Sequence, residues 1–298
     1  MLNPTFPKSA SRCVGSNYVA PDSIALSTLH GNESFNTGKE YRLQSVYGDE
    51  IWLKLARAGL TPPVLKELSV LEVCAGTGFL TFHLLSKCAP KNLTVNDISP
   101  SELDAAKKLV ATIHPNTAVD WVLGDMHMVT FDRKFDVIIG NSFIHHFHNV
   151  PEVLSRFHHL LTDKGIFISL HEPTPMSTVV EGAKMLLYPL AVVAPGLVND
   201  IARARHQGEP SLTDLWMFQS SKLKRVAEQA GFTSVDTFPW HLLRTIVTQK
   251  KGLHLSANKP RLSDDEVLVL RKAIDQDALL NRILPERFFG SISLVCRK

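Results

Sequence analysis

The 298-residue chain is 44% hydrophobic and 20% charged, a composition that supports a large buried core. Its 32 basic and 29 acidic side chains leave a formal net charge of only +3. So balanced a charge excludes the strongly basic surface of a protein whose partner is a nucleic acid or a membrane.

Cysteine usage and hydropathy bear on the cellular compartment. The N-terminus lacks the charged-then-apolar pattern of a signal peptide, and no two cysteines have a paired spacing. The longest apolar run, residues 186–198, is too short to span a bilayer and is interrupted by two prolines. We therefore expect a cytoplasmic protein without stable membrane insertion and with four free thiols: Cys13, Cys74, Cys88 and Cys296.

The first forty residues show little periodicity and are interpreted as an irregular arm. From Tyr41 the apolar spacing predicts a helix that ends at Gly59. Short β-rich runs then alternate with helical patterns. The predicted strands are residues 69–74, 92–96, 118–123, 135–140, 165–170, 233–238 and 290–296.

Two helix starts carry the signature of a capping box. Ser99 is followed by Pro100 at the first helical position and by Glu102 three residues after the cap, and Ser263 is followed in the same way by Glu266. The alternation predicts an α/β fold, with a doubly wound, mostly parallel seven-stranded sheet and helical insertions that form a cap.

The same pattern predicts four segments. Residues 1–60 form an arm and a helix that act as a lid, and residues 61–173 form a ligand-binding core. Residues 174–217 form the helical cap. Residues 218–298 complete the sheet, with a helical insertion at about 249–287.

Four features follow strands of the predicted core and so meet at the carboxyl edge of the sheet, where ligands bind in such folds. The glycine turn "CAGTG" (74–78) follows the first strand, and Asp97, suited to both hydroxyls of a ribose, follows the second. The "GDM" of residues 124–126 follows the third strand. There Asp125 can accept from an exocyclic amine and Met126 can lie on a flat base. "GNSFIHHF" (140–147) follows the fourth.

The turn itself discriminates between two ligand classes. A dinucleotide turn has a third glycine where this chain has Thr81, and Glu72 at the end of the strand would repel a pyrophosphate. The same carboxylate suits S-adenosylmethionine, which carries an ammonium and a positive sulfonium. A NAD(P)-dependent oxidoreductase is therefore the weaker alternative, and a non-catalytic S-adenosylmethionine-binding partner subunit is another.

These motifs make residues 68–172 similar to the class I S-adenosylmethionine-dependent methyltransferases of the small-molecule type, which include the quinone-biosynthesis methyltransferases. Matching residues are Glu72, Gly76 and Gly78 in "LEVCAGTG", Asp97 in "VNDISP", Asp125 in "GDM", and the run "NSFIHHFHNVPEVL". The chain departs from the family at Cys74, where glycine is commoner. The resemblance implies S-adenosyl-L-methionine as cofactor and an activity in small-molecule biosynthesis.

The resemblance also implies a role for each matched position. Glu72 would orient the turn and the amino end of the methionine, while Ala75, Gly76 and Gly78 would pack against the cofactor through their backbone. Asp97 would hold the ribose. The adenine would lie against Ile98, Asp125 and Met126, and the methionine portion would border Asn141 and Ser142.

Three histidines are candidates for a catalytic base, and a base matters for a hydroxyl acceptor because it takes the proton. His145 and His146 follow the fourth strand, and His171 follows the fifth. A structural role for the His145–His146 pair stays open, with His146 the better candidate for the base. The remaining histidines lack the spacing of metal ligands, so no metal is expected.

The acceptor is predicted to be a small, partly apolar or aromatic metabolite methylated at oxygen. Aromatic residues of the arm and an apolar stretch of the cap could close a water-poor pocket over the methyl group. The apolar residues 183–198 could instead mediate a homodimer.

Overall fold

One seven-stranded sheet runs through the residues that the computed structural model describes, which are 41–147, 149–176, 217–250 and 263–298. Most of the predicted arm and cap therefore lies outside the described residues. In chain order the strands are β1 (Ser69–Glu72), β2 (Asn92–Asp97), β3 (Asp120–Leu123), β4 (Phe135–Gly140), β5 (Leu161–Pro173), β6 (Ser234–Trp240) and β7 (Ser291–Arg297).

Eight α-helices accompany the strands in the described part of the chain. They are α1 (Tyr41–Arg57), α2 (Pro62–Lys66), α3 (Phe79–Lys87), α4 (Pro100–Ile113), α5 (Val150–Leu160), α6 (Ser220–Gln229), α7 (Leu243–Lys250) and α8 (Asp264–Leu280). Short 3₁₀ turns occupy Ile144–His146 and Glu286–Phe288.

The strand order across the sheet is β3-β2-β1-β4-β5-β7-β6. All pairings are parallel except the two that β7 makes with β5 and β6. The predicted doubly wound, mostly parallel seven-stranded sheet is therefore confirmed. Because the order reverses between β1 and β4, the loops after these two strands diverge and leave a crevice at the carboxyl edge.

Alternate residues of the strands feed two hydrophobic clusters, one on each face of the sheet. Val137 and Ile139 of β4 point into the first cluster with α1, α3 and α4, while Ile138 between them points into the second with α5 and α6. Burial of both faces explains why the central strands are continuous apolar runs.

Helix α1 is held tightly against the core. The indole N–H of Trp52 donates to the carbonyl of His83 at 3.2 Å. Gly48 lies so close to His83 that a Cβ built on the glycine would be 2.3 Å from the imidazole Nδ1. A glycine inside a helix destabilises it by roughly 0.5 to 1 kcal/mol, and the close approach of α1 to α3 accounts for its presence.

The two predicted capping boxes differ in outcome. Ser263 and Glu266 form the complete box at the start of α8. At α4 the Ser99 hydroxyl accepts from the backbone N–H of Glu102, but the N–H of Ser99 donates to Asp97 at 2.8 Å instead of to Glu102. The second half of that prediction is wrong because Asp97, two residues away, occupies the donor.

Candidate functional site

The glycine turn after β1 is built from residues in the left-handed backbone region. Cys74, Gly76 and Gly78 have φ values of 51°, 54° and 84°. A Cβ on Gly78 would be 2.8 Å from the Cβ of Ala106, so this glycine lets the start of α3 approach α4. A Cβ on Gly76 would meet only Glu102, at 3.6 Å, so the backbone there is open to a ligand.

Asp97 joins the first two strand ends. One carboxylate oxygen accepts from the backbone N–H of Gly76 at 2.7 Å and the other from that of Ser99. The backbone N–H of Ala75 donates to the carbonyl of Asn96 at 3.0 Å. Ile98, half-buried, follows directly. The sequence-predicted turn and the sequence-predicted acid are therefore in direct contact.

The third strand end is tied to the second by Asn96, whose amide donates to the carbonyls of Val122 and Gly124. Asp125 is buried and accepts from the N–H of His127 at 2.9 Å. Met126 is buried in the second hydrophobic cluster. Its side chain thus packs the core, while Asp125 borders the site.

Glu72 is fully buried and bonded to Thr81 through both oxygens. The backbone N–H of Thr81 donates to Oε1 at 3.2 Å, and its hydroxyl donates to Oε2 at 2.8 Å. Burial, with a smaller contribution from the Asp97 carboxylate, raises the pKa of Glu72 to about 8. Thr81, which the sequence showed only as a missing glycine, is the residue that fixes this acid.

Glu102, predicted from the sequence only as part of a helix cap, also borders the site. Its carboxylate lies over Gly76, and burial together with the Asp97 carboxylate raises its pKa to about 7. Three carboxyl groups, those of Glu72, Asp97 and Glu102, therefore surround the glycine turn. The sequence did not indicate this role of Glu102, because its spacing of three residues from Ser99 is also the pattern of a capping box.

The loop after β4 is organised by Glu172, a fully buried residue of β5. Its carboxylate accepts from the backbone N–H groups of Phe143, Ile144 and His145 at 3.0 to 3.2 Å and from Nδ1 of His145 at 2.7 Å. It also accepts from the hydroxyl of Ser169. Although burial opposes ionisation, these donors lower the pKa of Glu172.

This arrangement separates the three candidate histidines. His145 is buried against Glu172. The half-buried His146 contacts it with ring centroids 4.1 Å apart and the ring planes tilted by 47°. Asn141 and Ser142, the latter with a φ of 60°, lie half-buried between Gly140 and this turn. His171 instead contacts His241, at 4.5 Å between ring centroids.

A register shift in the β5–β7 pairing explains why His171 and Glu172 face different neighbours. Ser169 pairs with Leu294, whereas Glu172, three residues later, pairs with Ile292, only two residues away on β7. The extra residue is a β-bulge, and it brings Ser169 and Glu172 to the same face of the sheet. Strict alternation would have placed His171 there.

Within the described ranges, no group of three or more His, Cys, Asp or Glu side chains is placed to hold a metal ion. None of the described helices is long and apolar enough to cross a membrane.

The class of protein follows from the fold and from a family comparison. Residues 71–167, about a third of the chain, match the family model described as a methyltransferase domain. This range spans the glycine turn, Asp97, Asp125 and the His145–His146 loop. The predicted resemblance to class I methyltransferases is confirmed for this domain.

Individual relatives are named methyltransferases, but the alignments cover only part of each protein. The malonyl-[acyl-carrier protein] O-methyltransferase of Neorickettsia risticii is 38% identical over 94 residues, which are 32% of this chain and 35% of the relative. The ubiquinone/menaquinone biosynthesis C-methyltransferase UbiE of Bartonella bacilliformis is 28% identical over 122 residues, 40% of this chain and 47% of the relative. The chain thus aligns with less than half the length of these curated relatives.

Among solved structures, the chain resembles Haemonchus contortus phosphoethanolamine N-methyltransferase 2 in complex with S-adenosyl-L-methionine. The TM-score is 0.52 at 13% identity, covering 98% of this chain and 61% of that one. At this identity the likeness shows the fold alone.

Proposed function

We propose that the protein transfers a methyl group from S-adenosyl-L-methionine to a small, partly apolar or aromatic acceptor, at oxygen. The observation that carries this proposal is the contact between Asp97 and the backbone of Gly76, inside a domain that matches the methyltransferase family. It joins a turn open to a ligand with an acid suited to a ribose. The relatives named as O-methyltransferases support oxygen as the acceptor atom.

The described residues fit this cofactor. Gly76 leaves room for close backbone approach, and Ala75 and Gly78 complete the turn. An ionised carboxylate accepts about four hydrogen bonds, and Asp97 accepts one from each of the backbone N–H groups of Gly76 and Ser99. Ile98 and Asp125 would border the adenine, with Met126 supporting them from the core. Asn141 and Ser142 would border the methionine portion.

Charge favours a cationic ligand over a dinucleotide. The carboxyl groups of Glu72, Asp97 and Glu102 surround the turn. A pyrophosphate there would be repelled by the Asp97 carboxylate and would hold Glu72 and Glu102, whose pKa values are already raised to about 8 and about 7, in their protonated forms. A ligand with an ammonium and a sulfonium would stabilise the ionised forms of Glu72 and Glu102. We therefore expect cofactor binding near neutral pH to release protons from the protein.

The cofactor would supply a methyl group bonded to a positive sulfur, which makes that carbon electrophilic. The protein's part is to hold the acceptor in line, within about 3 to 3.5 Å of the methyl carbon. Glu172 keeps the loop at 143–145 in place and holds His145, which we assign to positioning. His146, half-buried beside it, is the proposed base that takes the proton of a hydroxyl acceptor, with His171 acting elsewhere on the acceptor.

Helix α1 would provide one wall of the acceptor pocket. Tyr47 contacts Phe79, the first residue of α3, with ring centroids 6.5 Å apart. The predicted cap residues 177–216, and with them the proposed homodimer contact at 183–198, lie outside the described residues. A cytoplasmic location also remains a proposal.

Calorimetry with S-adenosylmethionine, S-adenosylhomocysteine and NAD tests the cofactor assignment. We expect the first two to bind and NAD not to bind, and an absence of binding by the first two would overturn the proposal. For transfer, the protein would be incubated with trideuteromethyl-labelled cofactor and a small-molecule extract. Mass spectrometry should then detect an acceptor that gains the label in the reaction with the wild type. The same acceptor should remain unlabelled when the Asp97→Ala variant replaces the wild type.

A further inference from the structure

His171 is a polar side chain without a hydrogen-bonding task inside the described part of the chain. The bulge in β5 turns it away from Glu172. Its ring contacts the ring of His241, and none of the described residues hydrogen-bonds either of its ring nitrogens. It remains partly accessible, so a ligand at the carboxyl edge of β5 can reach it.

A buried charged network from α1 and the β6–α7 junction lies beside His171. Glu50 is its centre: Lys54 Nζ lies 2.6 Å from Oε1, Arg244 Nη1 lies 2.9 Å from Oε2, and His241 Nε2 lies 2.5 Å from Oε1. His241 is further fixed through Nδ1 by the hydroxyl of Ser291 at 2.9 Å.

The network is also connected to the glycine turn. The guanidinium of Arg244 lies over the ring of Tyr47, 4.1 Å from its centroid. Tyr47 in turn contacts Phe79, which directly follows Gly78. Two ring contacts therefore join the surroundings of His171 to the proposed cofactor site.

The surroundings of His171 disfavour the protonated, cationic form of its imidazole. Burial lowers the pKa of His171 well below its usual value. His241, Lys54 and Arg244 lower it further, and only Glu50 opposes them. The imidazole is therefore neutral near pH 7 and can donate one N–H. Lys54 and Arg244 together act on it more strongly than the Glu50 carboxylate does. The second buried carboxylate of this region, Asp277, accepts from the backbone N–H groups of Leu243 and Arg244.

We propose that His171, backed by Lys54 and Arg244, forms a subsite for a carboxylate or an equally small organic anion carried by the acceptor. This inference rests on the proposed function only in naming the bound molecule as the acceptor. A neutral N–H donor in a positive potential favours an anion over a neutral group of the same shape. His171 acts here as a binding residue, separate from the proton acceptor assigned to His146.

The probe is benzoate, which combines an aromatic ring with a carboxylate, and benzamide is its neutral counterpart. Binding would be followed by calorimetry and by the ring-proton NMR signals of His171 in the full-length protein. We expect benzoate to bind at least about tenfold more tightly than benzamide, because a hydrogen bond to a charged group contributes more than a neutral one. The His171 signals should shift on addition of benzoate.

Two substitutions distinguish the donor from the ring. H171F keeps an aromatic ring against His241 but removes the N–H and should weaken benzoate binding by about tenfold or more. H171N keeps a donor and should lose less. The matched control is H114F, at a half-buried histidine after α4 that also contacts a ring, Phe82, and this variant should bind benzoate as the wild type does.

Failure of this inference can be told apart from failure of the proposed function. S-adenosylhomocysteine binding, measured on the same samples, should be unchanged in H171F. Equal binding of benzoate and benzamide, no benzoate binding to the wild type, or full benzoate affinity in H171F would overturn the anion subsite. Loss of S-adenosylhomocysteine binding in the wild type would overturn the proposed function and leave the benzoate result standing.

Discussion

Glu72 and Thr81 form a closed pair in the core of the protein, in which both oxygens of the buried carboxylate accept hydrogen bonds from one threonine. The pair links the end of β1 to the first turn of α3 across the glycine turn. It therefore fixes the backbone that the proposed cofactor would touch. Because Thr81 supplies two donors to a group that water cannot reach, its replacement should change the free energy of unfolding and the pKa of Glu72.

Thr81→Val removes the hydroxyl donor and keeps the size of the side chain. We expect the free energy of unfolding to fall by about 1 to 3 kcal/mol, since a buried acceptor loses its partner. Urea unfolding measures this loss. Thr112→Val is the control, because Thr112 lies exposed on α4 and bonds only its own helix turn. A loss as small as that of the control would contradict the importance of the pair.

Glu72→Gln should change how stability depends on pH. The pKa of Glu72 is raised from 4.5 to about 8 in the folded protein, so the folded state holds a proton that the unfolded state releases between these values. Its contribution to stability is thus fully present below pH 4.5 and is lost as the pH rises to about 8. Glutamine does not titrate.

Urea unfolding of wild type and Glu72→Gln at pH 6 to 9 checks this linkage. The stability of the wild type relative to the variant should fall by about 2 kcal/mol or more over that range. Using the difference removes the parallel contribution of Glu102, whose pKa is also raised. A difference that does not change with pH would mean that Glu72 titrates normally.

Asp97→Asn should weaken cofactor binding. The substitution replaces one carboxylate oxygen by an NH2 group, which cannot accept a hydrogen bond. The single remaining oxygen cannot accept from the N–H groups of Gly76 and Ser99 and also bind the ribose. We expect the calorimetric affinity for S-adenosylmethionine to fall about tenfold to a hundredfold. Asp104→Asn, at an exposed acid on α4, should have no effect. Equal affinities for the two variants would exclude Asp97 from the site.

Gly48→Ala tests the packing of α1 on α3. Alanine is the better helix former, yet its Cβ would lie 2.3 Å from His83, which is buried and has little room to move. We expect a net loss of about 1 to 3 kcal/mol in urea unfolding. Combining it with His83→Ala should recover part of that loss. A stabilised Gly48→Ala protein would show that α1 is not packed this closely.

Substitutions of Cys74 test the strain in the turn. Its φ of 51° lies in the region that glycine tolerates and a β-branched residue does not. Cys74→Val should be less stable than Cys74→Gly by about 1 to 2 kcal/mol. Burial, assisted by the carboxylates of Asp97, Asp125 and Glu172, raises the thiol pKa well above its usual value, so alkylation at pH 8 should be slow.

Much of the fold was predictable from local patterns. All seven strands were predicted because apolar and β-branched runs between glycine- and proline-rich segments need only their neighbours in sequence to be recognised. The turn at 74–78 and its approach to Asp97 were predicted for a similar reason: parallel strands bring their carboxyl ends to one edge. The capping box at Ser263 is a local feature of the same kind.

The failures share a cause in contacts between distant elements. Glu102 could not be recognised as a neighbour of Gly76 because a residue outside the helix, Asp97, takes the N–H that would have completed its capping box. The face of the sheet on which Glu172 lies depends on a bulge in β5 whose register is set by β7, more than a hundred residues later, so alternation along β5 alone does not give it.

The sequence by itself therefore determined where the strands lie along the chain, the glycine turn, its acids and the resemblance to methyltransferases, since these depend on short-range pattern and residue chemistry. Tertiary structure alone decided which acids are buried, which of them hold protons near neutral pH, and which histidine meets Glu172. Those properties depend on desolvation and on partners from other elements, such as Thr81 for Glu72 and α1 for His171.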